Sequence, residues 1–153
     1  MLIDANLLVL LVVGLVNESY IAKHRRLRVF GVEDFRWIRA QASAADKLIF
    51  VPNVVTETSN LLRYIEDPIR RQLMQGFGVL LRGAHERYVP SKEAADRQEF
   101  ERLGLTDAVL LMLAETGAHL LTVDLDLYLA ASTAGYGVIN YNHIHDARTG
   151  FEG

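Results

Sequence analysis

The sequence MLIDANLLVLLVVGLV (residues 1–16) opens the chain with a short apolar stretch, an aspartate and then a longer apolar stretch. We predict a β-strand at 1–4 and a buried helix at 5–16. Further strands, short and rich in β-branched or aromatic residues, are predicted at 47–51, 86–89, 119–123 and 137–141. Helices are predicted at 32–44, 53–66, 68–81, 91–102 and 106–116. This alternation predicts an α/β fold, with a parallel sheet flanked by helices on both sides.

The composition is typical of a globular protein. Half of the 153 residues are hydrophobic, and no repeat or Pro/Gly-rich linker interrupts the chain, so we expect a single domain over 1–153. The absence of cysteine excludes disulfides, thiolate zinc sites and iron–sulfur clusters, and is compatible with the cytoplasm. The formal net charge of −3 gives no global attraction to nucleic acid, so such binding would need a local basic patch or a metal.

The apolar run at 7–16 is not expected to span a membrane. It is ten residues long, whereas a spanning helix needs about 20. No basic segment precedes it, and Asp4 stands where a signal peptide would carry positive charge. We therefore expect a cytoplasmic protein without a membrane partner.

Four carboxylates stand where an apolar segment meets a turn or a helix start: Asp4, Glu57, Asp107 and Asp124. Asp4 and Asp124 end predicted strands, and Asp107 begins a predicted helix. Because the ligand crevice of an open parallel sheet lies beyond the carboxyl ends of its strands, these acids are expected to meet there.

Glu57 lies at the edge of the inward stripe of its predicted helix. That stripe consists of Val54, Thr58, Leu61 and Ile65. A solvated glutamate would more naturally fall on the far side of the helix. We therefore predict a partly buried Glu57 carboxylate that faces the same crevice as Asp4.

Clustered acids need a cation to remain ionised. Two carboxylates about 5 Å apart repel by about 3 kcal/mol at an effective dielectric constant near 20. A divalent cation would offset this repulsion, lower the pKa of a water molecule and stabilise charge on a phosphate. Ligation by oxygen alone favours Mg²⁺ or Mn²⁺ over zinc.

The order of the motifs resembles that of the PIN-domain nucleases. These motifs are Leu-Ile-Asp-Ala-Asn (2–6), Thr-Glu (56–57), Leu-Thr-Asp-Ala (105–108), Leu-Leu-Thr-Val-Asp (120–124) and Val-Ile-Asn-Tyr-Asn (138–142), the last resembling the family's final strand. The resemblance spans nearly the whole chain. It implies a parallel sheet of about five strands, with the acids gathered at one end.

The resemblance also implies an activity and its residues. Asp4, Glu57, Asp107 and Asp124 would be the catalytic metal ligands for Mg²⁺ or Mn²⁺. The substrate would be RNA, cleaved to leave a 5′-phosphate and a 3′-hydroxyl. Small single-domain members are often VapC-like toxins, so a small antitoxin protein is an implied partner.

Two departures from the family pattern concern substrate and partner more than catalysis. Segment 17–45 is longer than in the compact toxins and contains the extra helix at 32–44. The segment Asp124-Leu-Asp126-Leu is hydrophobic where many relatives carry a basic residue.

Neighbouring polar residues have a functional and a local interpretation. Asn6 and Thr122 could orient ligands or water, or could cap the backbone. Asp126 is assigned a water-mediated or supporting role beside Asp124, with which it shares a face only if the strand continues. The local alternatives for the acids are that Asp4 caps the first helix and that Asp107 only complements a helix dipole.

Three further features leave alternatives open. The basic run Lys-His-Arg-Arg-Leu-Arg (23–28) could grip phosphates or form a solvated loop. His143 and His145 could bind a transition metal from a strand face, although surface or loop histidines are favoured. The apolar helices at 7–16 and 68–81 fit a homodimer interface and simple core burial equally well, and a homodimer is among the expected partners.

Two other functions compete with a nuclease. A non-catalytic PIN-like scaffold for RNA or protein is disfavoured because all four acids are present. A haloacid-dehalogenase-like phosphatase would use Asp124 and Asp126 as its nucleophile pair. That pair normally lies near the amino end of its domain, whereas most of this chain precedes it.

Overall fold

The computed structural model describes residues 1–150 and contains the α/β fold that the sequence predicts. Its five strands are β1 (Leu2–Ile3), β2 (Ile49–Phe50), β3 (His85–Glu86), β4 (Leu120–Thr122) and β5 (Val138–Asn140). They form one sheet in the order β3-β2-β1-β4-β5, and every neighbouring pair is parallel. The predicted parallel sheet is therefore confirmed.

Helices connect the strands. They are α1 (Ala5–Val16), α2 (Val32–Ala44), α3 (Pro52–Leu62), α4 (Ile69–Arg82), α5 (Ser91–Ala95), α6 (Phe100–Leu103), α7 (Leu105–Glu115), α8 (Leu125–Thr133) and α9 (Tyr141–Thr149). Two 3₁₀ helices, Glu18–Lys23 and Arg25–Leu27, lie between α1 and α2. Within residues 1–150, none of the helices has the length and apolar character needed to cross a bilayer.

Several predicted boundaries were wrong. The strands are two or three residues long, and the strand expected at 86–89 lies at His85–Glu86. The helix expected at 91–102 divides into α5 and α6, and Arg97 between them pairs with Glu99 and Glu115. The strand expected at 137–141 ends at Asn140, whose side chain accepts a hydrogen bond from the Asn142 N–H and so caps α9.

The first helix forms the centre of the core. In α1, residues 7–13 are fully buried against α2, α3 and α4. A Cβ atom on Gly14 would come within 2.2 Å of the Phe35 ring, so glycine allows α2 to pack directly on α1. Core burial thus accounts for most of the apolar surface at 7–16, whereas Leu15 stays 51% exposed.

The strand order creates a switch point beside β1. The chain passes from β1 to β2 and β3 on one side, then crosses to β4 and β5 on the other. The register pairs Ile3 with Leu121, so the ends of β1 and β4 lie together. Ligand crevices of open parallel sheets form at such a point, and Asp4 and Asp124 follow these two strands.

Candidate functional site

A small acidic pocket lies at the carboxyl ends of β1 and β4. It has a volume of about 80 Å³ and is lined by Asp4, Ala5, Asn6, Val54, Glu57, Thr106, Asp107, Leu110, Thr122, Asp124 and Leu127. The four predicted acids therefore come together, although they belong to four separate segments. We call this the acidic pocket.

Asp4 is the most firmly held of the four acids. It is buried, and it accepts hydrogen bonds from the N–H groups of Leu7 (3.2 Å) and Val123 (2.8 Å) and from the Thr122 hydroxyl. Burial raises the pKa of Asp4 even though these three donors favour its ionised form. Asp4 thus caps α1, as the local alternative proposed, and also lines the pocket.

Thr122 connects two of the acids. Its hydroxyl donates to Asp4 Oδ2 and accepts from the Asp124 N–H at 2.9 Å. Thr122 is fully buried at the end of β4, so its torsions are restrained by packing. This side chain fixes the carboxylate of Asp4 and the backbone at Asp124 relative to each other.

The ionisation of Asp107 is also perturbed. Burial, together with the negative charges of Asp124, Asp4 and Glu57, raises its pKa to about 7. It lies in the first turn of α7, where the helix dipole favours a negative charge. Because the pKa of Asp107 is nevertheless raised, the favourable effect of the helix dipole on its charge is smaller than the unfavourable effects of burial and of the neighbouring acids.

Asp124 and Asp126 diverge because a turn follows β4. Asp124 caps α8, accepting from the Leu127 N–H at 2.9 Å, and lines the pocket. Asp126 lies exposed in the first turn of α8 and does not line the pocket. Its negative charge still contributes to the raised pKa of Asp107.

The prediction of a partly buried Glu57 was wrong. Glu57 lines the pocket from α3, but it is exposed. Its place at the edge of the apolar stripe thus brings it to the pocket without burying its carboxylate. The buried polar residue is the neighbouring Thr58, whose hydroxyl has no hydrogen-bond partner within residues 1–150.

Two asparagines flank the pocket in different ways. Asn6 is exposed and lines the pocket, where its amide remains accessible to a ligand or to water. Asn142 was not predicted as a site residue. Its side-chain amide donates to the Val123 carbonyl at 2.9 Å and so supports the turn before Asp124. The signal was present in the motif at 138–142, which places this amide directly after β5.

The residues of the acidic pocket fit a divalent cation in charge and in donor type. The lining side chains include four acids, and none is Lys, Arg or His. Carboxylate, hydroxyl and amide oxygens are the ligands that Mg²⁺ and Mn²⁺ prefer. In the described part of the chain, no three acidic or histidine side chains stand close enough to form a completed ion site. Ligation by three acids would therefore require side-chain rotation, which is easiest for the exposed Glu57.

His143 and His145, considered above as transition-metal ligands, lie away from the acidic pocket. Both are on α9 and not on a strand or loop. His143 packs edge-on against Tyr128, and His145 Nδ1 lies 3.0 Å from Asp34 Oδ1. Neither histidine lines the acidic pocket.

Asp34 is the centre of a polar cluster between α2 and α9. It is buried and accepts hydrogen bonds from the Gly31 N–H, the Tyr141 hydroxyl and the Arg148 guanidinium. Burial would raise the pKa of Asp34, but the hydrogen bonds from Tyr141, His145 and Gly31 outweigh it and lower the pKa. The extra helix at 32–44 thus anchors the carboxyl-terminal helix.

Comparison of the chain with protein-family models, with curated proteins and with solved structures finds no match. The sheet order and its flanking helices are consistent with a PIN-like fold. Function is therefore inferred from the chemistry of the acidic pocket.

Proposed function

We propose that this protein is a metal-dependent endoribonuclease of the PIN-domain type, acting in the cytoplasm. Its metal ligands would be Asp4, Glu57, Asp107 and Asp124. One observation carries the proposal: four acids from distant segments share one pocket at the sheet's switch point, with no basic side chain among the lining residues. An uncompensated acidic cluster is costly unless a cation serves it.

The ligands would divide into fixed and adjustable groups. Asp4 and Asp124 hold their positions through backbone N–H donors, and Thr122 links the two. Glu57 is exposed and can approach an ion without breaking buried contacts. Asp107, with a pKa of about 7, would release its proton when a cation binds. Metal affinity should therefore rise as pH increases through 7.

The scissile phosphate would lie over the mouth of the pocket. A volume of about 80 Å³ has room for roughly two or three water-sized bodies, since each water occupies about 30 Å³. A nucleotide is too large to enter. A divalent cation held by the acids would lower the pKa of a water molecule and offset the phosphate charge.

The experiment is a cleavage assay with RNA and DNA oligonucleotides in Mg²⁺, in Mn²⁺ and in chelator. We expect RNA cleavage only with metal, leaving 5′-phosphate ends. Asp4→Asn should abolish it, because an amide is a poor ligand of similar shape. Asp96→Asn, at an exposed acid outside the pocket, is the matched control. Metal-independent cleavage, or full activity of Asp4→Asn, would refute the proposal.

Both competing functions are less well supported. A scaffold without catalysis gives no reason for four acids in one pocket, and it predicts no cleavage in the same assay. A haloacid-dehalogenase-like phosphatase needs Asp124 and Asp126 to act together. The turn after β4 separates them, and only Asp124 lines the pocket.

A toxin role and a homodimer both need a protein surface. An apolar groove of about 570 Å³ lies between α1 and α4, lined by residues that include Leu15 and Val79. These two side chains are 51% and 65% exposed. We propose this groove as the surface for a small antitoxin or for a second copy. Growth arrest on expression, relieved by a neighbouring small gene, would support the toxin role, and sedimentation would report the dimer.

A further inference from the structure

A basic surface stands beside the carboxyl-terminal end of α3. We define it by Lys23, Arg25 and Arg26 of the two 3₁₀ helices, together with Tyr64, which follows α3. All four side chains are exposed, and residues 23–28 contain no acid. The chain as a whole has a net charge of −3, whereas this surface is positively charged.

The basic surface is built on an anchored backbone and not on a loose loop. His24 is buried; its Nε2 lies 3.1 Å from the Leu62 carbonyl, and its Nδ1 lies 3.2 Å from the Arg26 N–H. A neutral ring that donates from Nε2 and accepts at Nδ1 satisfies both contacts. Ile21 and Leu27 are buried on either side. The backbone that carries the cations is therefore held next to the end of α3.

Arg26 and Tyr64 form a cation–π pair. The guanidinium carbon lies 5.3 Å from the centre of the Tyr64 ring, and Tyr64 is 47% exposed. Aromatic rings and guanidinium planes are the surfaces on which proteins stack unpaired bases. Arg25 pairs with Glu66 at 3.0 Å, but both are exposed, so a phosphate could replace the carboxylate at little cost.

The basic surface lies next to the helix that carries Glu57. Glu57 is in the middle of α3, and Tyr64 lies two residues beyond the last residue of α3, Leu62. His24, which lies between the cations of the basic surface, contacts the Leu62 carbonyl at that same end of α3. A polynucleotide chain that follows α3 would reach from the basic surface to the acidic pocket.

We propose that the basic surface binds a single-stranded segment of the RNA whose scissile bond lies at the acidic pocket. Lys23 and Arg25 would contact its phosphates, and the pair of Arg26 and Tyr64 would stack an unpaired base. Stacking disfavours duplex RNA, whose bases are not free. This inference rests on the proposed function for the choice of ligand.

The test is the binding of a fluorescent 20-nucleotide RNA to the full chain in chelator, followed by anisotropy at several salt concentrations. The double variant Lys23→Gln and Arg25→Gln should reduce the slope of log K against log salt by about 1.4, since each single-strand phosphate contact contributes about 0.7. Tyr64→Leu should weaken binding about tenfold, within the range for one stacked base. Lys92→Gln with Arg82→Gln, two exposed cations elsewhere, is the matched control and should change neither.

Hydrolysis of bis(p-nitrophenyl) phosphate with Mn²⁺ separates the two proposals. This substrate is too small to reach the basic surface, so the binding variants should hydrolyse it at the wild-type rate. Wild-type RNA affinity in both Tyr64→Leu and the double variant would overturn the inference, as would equal affinity for duplex RNA. If the wild type binds RNA through the basic surface but hydrolyses neither substrate, the proposed function fails, and only the RNA-binding role of the basic surface stands.

Discussion

Asp107→Asn should stabilise the metal-free protein. The gap between a pKa of about 7 and the ordinary 3.8 corresponds to about 4 kcal/mol of ionisation free energy at high pH. Asp107 is half-buried, and solvent screening reduces this to about 2 kcal/mol. For a chain of 153 residues, that gain raises the melting temperature by about 6 °C.

The sign of the pH dependence follows from the direction of the shift. The folded pKa of Asp107 is raised, so the folded state binds the proton more tightly than the unfolded state does. The wild type therefore loses stability as pH rises from about 4 to about 7, whereas the amide variant has no such loss at this position. The difference between the two should be absent near pH 4 and complete above pH 7.

Thermal unfolding in chelator, followed by circular dichroism between pH 4 and 8, measures this difference. Saturating Mn²⁺ should reverse it, because an ion at a hundredfold excess over its dissociation constant adds about 2.7 kcal/mol to the protein that binds it. Asp96→Asn is the control and should show no pH-dependent gain. If Asp107→Asn is no more stable than the wild type at pH 7.5 in chelator, Asp107 is not in an uncompensated acidic cluster.

Three other substitutions test separate parts of the structure. Asp124→Ala should reduce the rate of RNA cleavage at least a hundredfold more than Asp126→Ala, because only Asp124 lines the pocket. A larger loss in Asp126→Ala would contradict this placement of the two acids. Glu57→Gln should shrink the Mn²⁺-dependent rise in melting temperature. Glu93→Gln is the control, because Glu93 is an exposed acid on α5, and it should leave that rise unchanged. Equal rises in the two variants would show that Glu57 does not bind the metal. Asp34→Asn should cost about 2 kcal/mol of unfolding free energy in denaturant titrations, since the buried negative charge and one of its two acceptor oxygens are lost. An unchanged midpoint would show that the polar cluster does not hold α9.

The sequence predicted the elements whose signals are local. The limits of α1 and α2 match the predicted 5–16 and 32–44, since each helix has a long apolar or amphipathic pattern. Helices α8 and α9 were missed because each has nine residues. Their start signals, the caps at Asp124 and Asn140, stood in motifs that were interpreted as strand ends.

The convergence of Asp4 and Asp124 was predictable because it follows from topology. Parallel strands bring their carboxyl ends to one edge, so Asp4 and Asp124 had to meet if both strands joined one sheet. The exposure of Glu57 was not predictable in the same way, since it depends on how widely the pocket opens. The polar cluster around Asp34 could not be predicted from the sequence either, because its partners Tyr141 and Arg148 are more than 100 residues away in the chain.

The central claim is that the acidic pocket binds a divalent cation. Crystals grown with Mn²⁺ and measured at a wavelength sensitive to its anomalous scattering would test it most directly. We predict an anomalous peak in contact with the carboxylates of Asp4, Asp107 and Asp124, and its loss in Asp107→Asn. The absence of a peak from this pocket at saturating Mn²⁺, or a peak on another acid cluster, would contradict it.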